Sequence, residues 1–138
     1  MGERYYIDTA IWIDFHENRK DRFRPLGEWA LEMFKGIVRM NGIVIYSDMV
    51  LDELLRKYPM PIIEKAFNII PKRNLKKVYA NSEQSAEARK LSRERELPFG
   101  DCFHAILARD NFALMVSRDK HFEQLKDIVD TKRPEELF

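Results

Sequence analysis

Apolar residues along this chain follow two rhythms. Short aromatic and β-branched runs at 4–8, 43–46 and 113–117 are too brief for helices and read as strands buried on both faces, as parallel strands are. Between them, apolar residues recur every three or four positions. Ile11, Trp12 and Phe15 follow the first run, and Leu26, Ala30, Met33, Phe34, Ile37 and Val38 form a stripe over 26–40. Val50, Leu51, Leu54 and Leu55 follow the second run. Asn41-Gly42 stops the second helix, Pro25 and Pro61 are placed to open helices, and Pro59 and Pro71 to close them. Pattern and punctuation further predict a helix over 61–70, a weak strand at 76–79, and a helix capped by Ser82 and running to about residue 96. A helix beginning at Asp101 and a last strand at 127–130 complete the series. Strands alternating with helices predict an α/β domain with a mainly parallel sheet.

Composition narrows the class. A chain of 138 residues, 45% hydrophobic and 34% charged, suits one globular domain spanning 1–138. No run of about 18 apolar residues occurs, so no membrane span is expected, and the first residues lack the pattern of a secretory signal. A lone cysteine excludes an internal disulfide framework and agrees with a reducing cytoplasm. The net charge of +1 hides a local excess over 54–78, where Arg56, Lys57, Lys65, Lys72, Arg73, Lys76 and Lys77 face only Glu64. Arg56, Lys57, Lys72, Arg73, Lys76 and Lys77 are candidates for holding a polyanion such as RNA; a solvated surface is the alternative.

Four acids stand at special places. Asp8 closes the first strand, Glu53 borders the buried stripe of a helix, Asp101 opens a helix, and Asp119 follows the strand at 113–117. Each has an ordinary reading: Asp8 and Asp119 as helix caps, Asp101 as a complement to a helix dipole, Glu53 as a solvated acid. Read as a set, carboxylates converging at the carboxyl edge of a sheet need a cation, and hard oxygen donors favour Mg²⁺ or Mn²⁺ over Zn²⁺. Such an ion suits phosphodiester hydrolysis. Cys102, His104 and His121 lack zinc-site spacing. His104, one turn beyond Asp101, reads either as a group facing the site or as a buried, hydrogen-bonded histidine.

Tyr6-Ile7-Asp8-Thr9, Ser47-x-x-Val50-x-x-Glu53-Leu54, Gly100-Asp101-x-x-x-Ala105 and Val116-Ser117-Arg118-Asp119-x-x-Phe122 occur in that order across the chain. In these motifs the chain resembles the PIN-domain family of metal-dependent ribonucleases, which includes VapC-type toxins. The resemblance implies a three-layer α/β/α sandwich around a five-stranded sheet, with the first and fourth strands adjacent. It implies that Asp8, Asp101 and Asp119 bind Mg²⁺ or Mn²⁺ and that Glu53 holds or deprotonates the attacking water. It also implies RNA products with 5′-phosphate and 3′-hydroxyl ends, an antitoxin partner and a homodimer. Thr9 and Ser117 are expected to orient the carboxylates.

The chain departs from the family pattern at Ala10, where a small polar residue is common, and at His121, where a second Asp often stands. Residues 19–40 form a long insertion between the first two strands, suited to a dimer or partner contact. The departures favour, as an alternative, a catalytically weak or inactive module binding RNA or a protein. A phosphatase of the haloacid dehalogenase type also begins with a strand-end Asp but needs a second acid where Ala10 stands.

Overall fold

The structure, a computed structural model, describes residues 2–138. Its centre is a parallel sheet of β1 (Arg4–Ile7), β2 (Ile43–Ser47), β3 (Leu75–Val78), β4 (Leu114–Val116) and β5 (Thr131–Lys132), in the order β3-β2-β1-β4-β5. Tyr6 on the central strand pairs with Ile45 on one side and Met115 on the other.

The helices are α1 (Thr9–Glu17), α2 (Leu26–Arg39), α3 (Asp48–Leu55), α4 (Met60–Phe67), α5 (Ser82–Arg95) and α6 (Phe99–Asp110). Strands β1, β2 and β3 step outward in one direction, and the chain then returns across the sheet to β4. Right-handed crossovers therefore place α1 to α4 on one face and α5 and α6 on the other. The predicted three-layer α/β/α sandwich is the observed one. On the first face Trp12 lies 4.8 Å from Phe34 and 4.7 Å from Phe67, measured between ring centroids, and Phe67 lies 4.3 Å from Tyr46. Trp12 is thus a packing residue. Trp29 is only half-buried and carries the Arg118 guanidinium 5.5 Å from its ring centroid. The segment over 19–40 is no appendage, since α2 buries Ala30, Met33, Phe34 and Ile37 against α1 and the sheet.

Several boundaries differ from the pattern-based expectation, each for a tertiary reason. The last strand is not 127–130: the Ile128 and Val129 amides both bond Leu125 O, curling this apolar stretch into a turn that buries Val129. Pairing with β4 begins only where Met115 N reaches Asp130 O at 2.9 Å. Strand β3 starts at Leu75 because buried Asn74 donates to Gly42 O at 2.9 Å and docks the chain there. Helix α4 ends at Phe67, since Ile70 N turns back to Phe67 O before Pro71. Helix α5 is capped by Asn81 rather than Ser82, in a reciprocal pair with Gln84. Helix α6 begins at Phe99, so Asp101 is its third residue.

Candidate active site

The sheet reverses direction between β1 and β4: connections from β1 lead toward β3, and those from β4 lead toward β5. Loops leaving the carboxyl ends of such neighbours diverge, opening a crevice. Asp8 is the residue after β1, and Ser117 is the residue after β4. Both are therefore delivered to the crevice by backbone pairing, reinforced where Asp8 N donates to Val116 O at 3.0 Å.

Asp8 occupies the N-cap position of α1 but caps nothing. Its Oδ2 accepts the Ser117 hydroxyl at 2.6 Å, and Ser117 Oγ in turn accepts the Asp119 amide at 3.0 Å. One buried hydroxyl thus ties two of the predicted acids together. Burial pushes the Asp8 carboxyl above its usual range, opposed by the His104 charge and the Ser117 bond.

Asp119 does cap, accepting the His121 amide at 2.9 Å at the start of a 3-10 segment, Lys120–Leu125. The His121 ring folds back, placing Nδ1 2.8 Å from Asp101 Oδ2 and 2.9 Å from Asp119 Oδ1. Ligand atoms of Asp101, Asp119 and His121 all lie within 4.8 Å of one another. Burial and the Asp119 charge push the Asp101 carboxyl up to about 6. Asp8 also acts on Asp101 through its charge but is not part of this tight trio.

Glu53 reaches the crevice from α3. Its Oε1 lies 2.5 Å from His104 Nε2, and His104 Nδ1 lies 2.7 Å from the Tyr6 hydroxyl. Tyr6 in turn lies 2.6 Å from Ser47 Oγ, which accepts the Val50 amide. With the imidazole charged, as its raised basicity favours, Nε2–H donates to Glu53 and Nδ1–H to the Tyr6 hydroxyl, and Tyr6 O–H donates to Ser47 Oγ, which also accepts Val50 N–H. Burial opposes ionisation of Glu53, yet the His104 hydrogen bond and charge hold its carboxyl below the ordinary range. His104 is buried, at 2% exposure, and its own basicity is raised: burial lowers it, and the carboxylates of Glu53 and Asp8 more than compensate. Both expectations for His104 hold together, since it is buried and bonded and also touches the site.

The donor set fits a divalent cation. Two carboxylates and an imidazole converge, the Asp8 carboxylate acts on Asp101 through its charge, and like charges this close call for a counter-ion. Thr9, buried next to Asp8, also acts on the Glu53 carboxylate through its hydroxyl and helps hold it ionised. Cys102 is fully buried and stands apart from the trio.

The basic candidates scatter. Arg56 follows α3 and acts on Glu53, whereas Lys57 pairs with Glu17 at 3.0 Å. Lys72 and Arg73 precede β3, at the amino edge of the sheet and away from the crevice, and Lys76 and Lys77 lie along that outermost strand. A more direct basic surface went unread in the sequence. A cleft of about 420 Å³ opens beside Ser117 and Asp119 and is lined by Arg24, Arg118, Lys120, Lys126, Lys132 and Arg133. Arg118 and Arg133 are committed to Glu135 and Glu136, and Arg24 to Asp21. Lys120, Lys126 and Lys132 make no ion pair among the described residues.

The sequence profile of the PIN domain matches residues 5–128, and the chain belongs to that family. Solved structures of the same fold include VapBC2 from Rickettsia felis bound to a DNA fragment from its promoter. That chain is 14% identical, with a TM-score of 0.69 over 94% of this chain and 98% of the other. A toxin-antitoxin complex from Klebsiella pneumoniae is 15% identical, with a TM-score of 0.66 over 94% and 97%. VapC20 of Mycobacterium tuberculosis, a toxin that cleaves the sarcin-ricin loop, is 17% identical, with a TM-score of 0.63 over 88% and 94%. No curated protein sequence matches the chain significantly. No helix is long and apolar enough to cross a membrane among the described residues.

Proposed function

We propose that this protein is a divalent-metal-dependent endoribonuclease and the toxin of a toxin-antitoxin pair. The observation that carries this reading is the convergence of Asp101, Asp119 and His121, linked through Ser117 to Asp8, at the carboxyl ends of β1 and β4. Asp8, Asp101 and Asp119 are the residues to hold Mg²⁺ or Mn²⁺. When bound, the cation supplies charge neutralisation at the scissile phosphate and acidifies water. Ser117 fixes the spacing of Asp8 and Asp119, and the Thr9 hydroxyl helps hold Glu53 ionised. Glu53, kept ionised by His104, takes the proton of the water that attacks phosphorus. The RNA backbone runs along the cleft that Lys120, Lys126 and Lys132 line together with Asp119.

The toxin assignment draws on the fold relatives, which include VapBC and other toxin-antitoxin complexes. An antitoxin here would be a protein presenting a basic side chain to Asp101 and Asp119 while covering the cleft. A homodimer is part of the same proposal and is read by light scattering. The decisive experiment incubates the purified protein with single-stranded RNA and Mn²⁺. Metal-dependent cleavage abolished by Asp8→Asn and by Asp101→Asn supports the reading; RNA binding without turnover would make the chain a binding module instead.

A further inference from the structure

We propose that His121 is a direct nitrogen ligand, so that the site prefers Mn²⁺ and similar transition-metal ions to Mg²⁺. The inference deepens the metal-site reading above and rests on it.

Position 121 reads in sequence as the loss of a family carboxylate, but its geometry is that of a donor. The imidazole is aimed inward through Nδ1, which faces Asp101 Oδ2 at 2.8 Å and Asp119 Oδ1 at 2.9 Å. A cation at this spot would meet three donor atoms already within 4.8 Å of one another. Asp101 comes from α6 and the other two from the segment after β4, so the site is assembled across two elements. The side chain of His121 is 45% exposed, so no packing requirement holds the ring in this orientation.

The consequence concerns selectivity. Mg²⁺ favours oxygen donors in a regular octahedron and sheds water reluctantly, whereas imidazole nitrogen suits the later divalent ions. An all-carboxylate site leaves Mg²⁺ competitive at its higher concentration. One nitrogen among the donors tilts the balance towards Mn²⁺ and beyond.

The test uses the full chain stripped of metal. Calorimetric titration with MnCl₂ and with MgCl₂ gives the affinity ratio, and pulsed EPR of the Mn²⁺ complex reads hyperfine coupling to ¹⁴N. The wild-type complex is expected to show coupling to one nitrogen, which His121→Asp removes while still binding Mn²⁺. That substitution should also narrow the Mn²⁺ to Mg²⁺ affinity ratio by about tenfold or more. Mn²⁺ that binds wild type and is lost in Asp101→Asn, yet shows no nitrogen coupling, would overturn the inference and leave the metal site standing. Coupling that survives His121→Asp would also overturn it, with His104 as the source. Failure of the wild type to bind either ion would overturn both readings.

Discussion

His104 Nε2 stands 2.5 Å from Glu53 Oε1, and the same ring, through Nδ1, stands 2.7 Å from the hydroxyl of Tyr6 on the central strand. A half-exposed acid is thereby anchored to the middle of the sheet. His104→Ala should reduce RNA cleavage by about 100-fold, chiefly in kcat, by releasing the general base from its orientation. His104→Gln, which keeps a donor near the Nε2 position, should recover more activity than His104→Asn, which reaches only the Nδ1 position. Tyr6→Phe should cost about 1–3 kcal/mol of stability in urea denaturation, because it strands Ser47 and Nδ1 in a buried place.

Ser117 joins Asp8 to the Asp119 turn through one oxygen. Ser117→Ala keeps the fold, since the residue is small and buried, but frees both acids. Mn²⁺ affinity by calorimetry should fall by about 10-fold or more. Ser117→Thr, which keeps the hydroxyl beside the open cleft, should retain more Mn²⁺ affinity than Ser117→Ala.

Proton linkage gives a prediction for the metal-free protein. Asp101 titrates near 3.8 in the unfolded chain and near 6 when folded, raised by burial and by Asp119. Between those values the folded state binds more protons, so stability from this group is present at low pH and is lost as pH rises through about 4 to 6. Asp101→Asn removes that dependence. The stability difference between variant and wild type should be larger at pH 7 than at pH 4.5 in thermal denaturation, with the variant more stable at pH 7. Saturating Mn²⁺ should stabilise the wild type at pH 7 and leave Asp101→Asn unchanged.

The cleft predicts which cations meet RNA. Replacing Lys120, Lys126 and Lys132 with Ala should flatten the dependence of log affinity on log salt by about 2 units, the loss expected for three phosphate contacts on a single strand. Lys72→Ala with Arg73→Ala, at the opposite edge of the sheet, should leave the slope unchanged. Fluorescence anisotropy with a catalytically dead Asp101→Asn background reads both.

What the sequence disclosed was local. Asp8 and Ser117 could be placed because each ends an apolar run, and the strand ends of a parallel sheet share an edge. The two-residue strand β5 could not, because it exists only through its pairing with Met115 and Val116, while the more apolar Ile128-Val129 is drawn into a turn. Tyr6, Ser47 and His104 come from β1, β2 and α6, separated by 41 and 98 positions, and no spacing rule connects them. His121 looked like a missing acid because its meaning depends on Asp101, delivered by another helix. The basic cleft was hidden by Glu123, Asp127 and Asp130 among its lysines. Folding removes one of these from play by pairing Asp127 with Arg95 at 2.6 Å.

The proposed function requires that the acids at the carboxyl ends of β1 and β4 form one divalent-metal site for RNA cleavage. Anomalous diffraction from crystals soaked in Mn²⁺ reads this site. A manganese peak coordinated by Asp101 and Asp119 is expected, with Asp8 in the same cluster. No manganese at this cluster, in crystals of protein that cleaves RNA, would contradict it.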